Sequence, residues 1–135
     1  MSVRTPWDDA GVSTSAAQAA AFYTEAVREG SVWSIRDKGG FPVQEGFDGH
    51  RAMPFWSLRS RAERAVATVP AYAGFEPAEI PLEDFRSRWL PGLEHDGLRV
   101  GVNWSGERAT GYDIAAPEVK ENLAAATRRL NATQD

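Results

Sequence analysis

Apolar residues recur along this chain with two different periods, and the switches between them mark out its elements. Ala19, Phe22, Tyr23, Ala26 and Val27 fall at helical spacing, with Ser and Thr caps ahead of them and Gly30 as a stop. The period then drops to two. "SVWSIRDKGGFPVQE" alternates through a charged glycine turn and predicts a hairpin with strands near 32–36 and 41–45. "RAMPFWS" predicts a third strand. A second helix follows over "SLRSRAERAVATV", with Ser57 as its cap and Leu58, Ala62, Ala65, Val66 and Val69 inward.

"AYAGFEPAEI" reads as loop. "PLEDFRSRWL" predicts a third helix, with Pro81 set for its first turn and Leu82, Phe85, Trp89 and Leu90 as its stripe. Pro91 and Gly92 are expected to end or kink it. "LRVGVNWS" alternates strictly, "GERATG" reads as a turn, and "YDIA" as a closing strand. A last helix spans "APEVKENLAAATRRL". The order α-β-β-β-α-α-β-β-α predicts an α+β two-layer domain: a mainly antiparallel sheet of about five strands with helices on one face. Residues 14–131 form that domain, between an N-terminal arm (1–13) and a short tail (132–135). Trp7, in the arm, is expected to dock on its own domain or on a neighbouring subunit.

Alternation also sorts the strand residues by face. Trp33, Ile35, Phe41, Val43, Val100, Val102, Trp104, Tyr112 and Ile114 share an apolar face that the helices must cover. Ser34, Arg36, Gln44, Arg99, Gly101, Asn103 and Asp113 share a polar face expected to stay open. On that face Arg36, Gln44, Arg99 and Asn103 are candidates to receive a ligand carboxylate or a partner's backbone. Pro42 cannot donate to a ladder, so its N side belongs at an edge or at a strand's start. In "HRAMPFW", Trp56 beside His50 and Arg51 suits a binding rim, because Trp and Arg are enriched at interface hot spots.

Composition narrows the chemistry. The 135 residues carry a net charge of -4, which argues against a nucleic-acid binder. There are no cysteines, so disulfides, thiolate metal sites and cysteine nucleophiles are excluded together. No stretch is long and apolar enough for a membrane span, and no signal peptide is read at the N-terminus; a cytoplasmic location is the expectation. His50 and His95 are the only histidines and both sit in expected turns, so no metal centre or cofactor is predicted. No nucleophile elbow, phosphate loop or zinc motif occurs. Glu83 and Asp84, at a helix start, are explained by the dipole.

Four stretches carry a resemblance: "VWSIRDKGGFPV", "MPFWSLRSRAERAV", "IPLEDFRSRWLPGLEHDGLRVGVNWSG" and "YDIAAPEVKENL". From about Ala21 to Leu123 the chain resembles the bacterial domain-of-unknown-function family 2750. The resemblance is carried most by Trp33, by Pro54, Trp56 and Ser57, and by Phe85, Trp89, Leu90 and Pro91. It implies a small stand-alone domain, similar in build to proteins that neutralise toxins or assist secretion by binding another protein. It implies no catalytic residue.

Two functions follow as expectations. The first is a non-enzymatic protein-binding domain, of immunity or secretion-accessory type, acting through the polar face and the Trp/Arg rim. The second is a small-ligand binder or enzyme with a pocket between sheet and helices, using His50 or His95 with nearby acids. Neither the partner nor the oligomeric state is legible in the sequence.

Overall fold

The structure, a computed structural model, describes residues 10–45, 49–109 and 111–134. Helix α1 (Ala10–Glu29) is followed by β1 (Ser31–Arg36), β2 (Gln44–Glu45), β3 (Arg51–Phe55) and α2 (Arg59–Thr68). A 3-10 turn at Pro70–Tyr72 leads to β4 (Glu76–Pro81). Next come α3 (Leu82–Asp84), a π-helical segment (Phe85–Trp89) and α4 (Leu90–His95), which run on as one helix. Strands β5 (Arg99–Val102) and β6 (Asp113–Ile114) and helix α5 (Ala116–Gln134) complete the chain. Residues 1–9 of the expected arm, Trp7 among them, lie outside the described residues; α1 begins within the stretch read as arm.

The fold is α+β, and among the described residues three of the four strand pairings are antiparallel. One sheet has the order β2-β3-β5-β6, with β3 and β5 parallel; the other is the pair β1-β4. Trp33 and Trp56 join the two sheets by exchanging both backbone hydrogen bonds at 2.7 Å. Pro54 explains why the sheets meet at one point instead of along a ladder. It has no N–H to offer β1, and its carbonyl accepts from the Ser34 hydroxyl at 2.8 Å instead.

The expected hairpin does not form. Asp37 and Gly40 close the turn, but β1 pairs with β4 in the register Val32–Ile80, Ser34–Ala78 and Arg36–Glu76. Both edges of β1 are thereby occupied, so residues 41–43 run away from it and β2 pairs with the start of β3. Pro42 precedes this edge strand, where its missing donor is harmless. The strand β4 lies in a stretch read as loop. Its two prolines disguise it, and they are tolerated because it is an edge.

The layering also differs from expectation, because helices cover both faces. Val32, Phe55, Ile80, Val100 and Val102 point to one cluster, closed by Phe22 and Ala26 of α1, Phe85, Leu90 and Leu93, and Val119 and Leu123 of α5. Ile35, Ala52 and Trp56 point to a second cluster, closed by Ala62 and Ala65 of α2, Val69, Tyr72 and Trp104. The polar face of the strands is therefore not open. Gly101 is buried because the Trp104 ring folds back over it; a Cβ there would lie 2.4 Å from that ring. Ser34 and Asn103 are buried as well. On the face expected to be covered, Val43 and Tyr112 are 39% and 40% exposed.

A candidate groove beside a proline-rich edge strand

The residues singled out in the sequence do not form one surface. Trp56 is fully buried, its indole N–H donating to the Trp104 carbonyl at 2.8 Å, so it is a core residue and not a rim aromatic. Asn103, 2% exposed, cannot meet a partner. Gln44 accepts from the Tyr72 hydroxyl, which pins the short edge strand β2 to the second cluster. Arg99 is half-buried against Asp113, donating to its carbonyl at 3.2 Å with the carboxylate 3.9 Å away. His50 and Arg51 are exposed where the chain enters β3, and His95 is exposed at the end of α4. Trp56 and Asn103 contribute to the wall of a small cleft beside α2, and Arg36 lines a larger, more open concavity.

Asn103 belongs instead to a buried polar network that holds three elements together. It takes a left-handed backbone (φ 53°), where Asn is better tolerated than most residues. Its Oδ1 accepts from the Ser57 N–H at 2.9 Å, and its Nδ2 donates to the Gln18 carbonyl at 3.2 Å. The Ser57 hydroxyl donates to Glu25 at 2.6 Å, and Arg61 grips the same carboxylate with two bonds of 2.8 Å. This is why Ser57 does not cap α2: the N-cap residue is Leu58, with no side-chain bond.

The chemistry of that network is structural. The hydrogen bonds from Arg61 hold the Glu25 carboxyl below the usual carboxylate range, which makes it a poor base. Ser57 is fully buried, so its hydroxyl cannot reach a substrate. A cleft of about 270 Å³ between α2 and Asn103–Gly106 lies over the network. It falls just under the usual size range of small-molecule sites. No group of three acids or histidines within metal-binding reach occurs among the described residues.

The open concavity lies over β4. Arg36, Phe41, Glu76, Pro77, Ala78, Glu79, Ile80, Pro81, Asp84 and Trp89 line a groove of about 540 Å³. It continues past Arg36, Phe41 and Glu76 towards Asp37, Lys38 and Gly74. Trp89 forms its wall. The Phe41 ring stands edge-on to Trp89 at 5.0 Å, and Trp89 is edge-on to the core residue Phe55 at 5.8 Å. The π segment sets this wall: the Leu90 N–H reaches back five residues to the Phe85 carbonyl. The wider turn relieves the clash that Pro91 would make inside an α-helix, so the helix continues to His95 where the sequence predicted an end or kink. Phe41, Glu76 and Trp89 were missed as site residues. The available signal was Phe85-x-x-x-Trp89-Leu90-Pro91, whose proline demands a local departure from α geometry.

The geometry defines a small α+β domain with an aromatic-walled groove beside an exposed strand edge. The chain belongs to the family described as "Protein of unknown function (DUF2750)", whose profile matches residues 19–123. The match spans every strand, the π segment and the groove. No curated protein matches the chain.

Proposed function

We propose that this is a non-enzymatic protein-binding domain whose contact site is the groove over β4. The observation that carries the reading is the Phe41–Trp89 pair: two half-buried aromatic rings facing an open groove next to a strand edge that no other described strand occupies. Rigid aromatic anchors beside a pocket are the usual source of interface energy. The groove is shallow and open, which suits an extended segment of another protein better than an enclosed small molecule. Of the residues singled out in the sequence, Arg36 lines the groove. Trp56 and Asn103 are scaffold, and Gln44, Arg51 and Arg99 lie outside the groove. An immunity or secretion-accessory role is compatible with this mode of binding.

The pocket reading required His50 or His95 to converge with acids between sheet and helices. Both are exposed and neither lines any of these clefts.

Capture from an extract of the source organism tests the proposal, with the full chain and its Phe41→Ala and Ala78→Gln variants as baits. Both variants must first give wild-type circular dichroism and melting within a few degrees. The expected result is a protein retained by the wild type and reduced at least tenfold by each variant. Equal retention by all three baits would sink the reading.

A further inference from the structure

Resting on the groove reading, we infer that the occupant is an extended basic segment, anchored by an arginine or lysine between apolar residues. The backbone gives the first reason. Trp33 directs both its N–H and its carbonyl to Trp56, so Val32 and Ser34, one residue to either side, direct theirs to β4. Opposite them Ile80 and Ala78 face inward, and Pro77, Glu79 and Pro81 face outward. Two of these outward residues are prolines. The outer edge of β4 thus presents carbonyl acceptors with a single N–H, that of Glu79. Ordinary strand addition needs alternating donors and acceptors and is blocked. A segment that brings extra donors on its side chains is not.

Charge supplies the second reason. The groove over β4 carries the carboxylates of Glu76 and Asp84 against one cation, Arg36; the Glu79 carboxylate is already engaged, accepting from the Ser31 hydroxyl at 2.7 Å. The aromatic wall adds to it, since a guanidinium or ammonium group is attracted to the face of Trp. An arginine side chain laid along Ala78 and Ile80 would place its apolar stem on the groove floor and its fork among the carboxylates. An acidic segment would meet two carboxylates against one cation in this groove.

Selection of random dodecapeptides on the full chain, followed by titration of the enriched sequences, tests this. The expected peptides carry a fixed Arg or Lys flanked by apolar residues, and perturb the amide resonances of Glu76, Ala78, Glu79 and Ile80. Their affinity falls at least tenfold in the Glu76→Gln/Asp84→Asn double variant and in Phe41→Ala. It rises in Arg36→Ala, which removes the competing cation, and it weakens with added salt. Enriched peptides that lose binding in Phe41→Ala but are acidic or uncharged would overturn the basic-segment inference and leave the groove reading standing. Enriched peptides indifferent to Phe41→Ala and Ala78→Gln, or no enrichment, would overturn both.

Discussion

Asn103 shows how one residue can look functional in a sequence and be structural in the fold. Strict alternation in "LRVGVNWS" assigns it to a polar face, yet it is buried and bonded on both ends of its amide. Asn103→Ala deletes these bonds, strands the Ser57 N–H, and places a Cβ-bearing residue with no compensating side-chain bond at φ 53°. A buried donor left unsatisfied costs about 1–3 kcal/mol, and a left-handed backbone about 1–2 kcal/mol for an ordinary residue. The expected loss in urea unfolding is therefore about 2–4 kcal/mol. A loss under about 0.5 kcal/mol would mean that the network does not hold the fold. Gly101, two residues earlier, carries the matching lesson: its value is the absence of a side chain where the Trp104 ring lies.

At the scale of elements, Pro91 makes the sharpest prediction. A proline inside an α-helix costs about 3 kcal/mol, much of it from the clash with the carbonyl four residues back. Here the π segment has already displaced that turn, so Pro91→Ala should change stability by about 1 kcal/mol or less in urea unfolding. A gain near 3 kcal/mol would show the proline to be strained in place.

The same region marks how far the sequence could be read. The four long helical stretches and strands β1, β3 and β5 were legible because their apolar periods are unbroken. Strand β4 was not, because Pro77 and Pro81 erase the strand signal at an edge that tolerates them. The hairpin was misread for a reason of competition. Asp37–Gly40 does turn the chain, but β4, thirty-odd residues on, takes the partner edge of β1. As for the groove, Arg36 was legible as an outward strand residue. Phe41 and Trp89 read as apolar face and helix stripe: Pro91 signals a local departure from α geometry, but not that the departure brings Trp89 against Phe41, almost fifty residues away.

Across the whole molecule, the two core clusters lie on opposite faces of the strands, and the Glu25 carboxylate is a titratable link between the elements that close them. It extends from α1 to Ser57, at the end of β3, and to Arg61 of α2. Arg61 holds its folded pKa below the ordinary carboxylate value of 4.5. Between the folded pKa and about 4.5 the unfolded chain binds more protons, so stability rises with pH across that window. The contribution is complete above about 4.5 and is lost as the pH falls through the lower folded value. At the alkaline end the sign reverses. Burial pushes the Tyr72 hydroxyl up from 10.0 to about 12, so the folded chain holds the proton longer and stability falls as the pH climbs from 10 to 12. Urea midpoints measured against pH should therefore fall at both ends. Glu25→Gln should lower the neutral plateau and flatten the acid limb, while Tyr72→Phe should flatten the alkaline limb alone. If Glu25→Gln left the acid limb as steep as in the wild type, other carboxylates would control acid unfolding, and the tie between the two clusters would not be this ion pair.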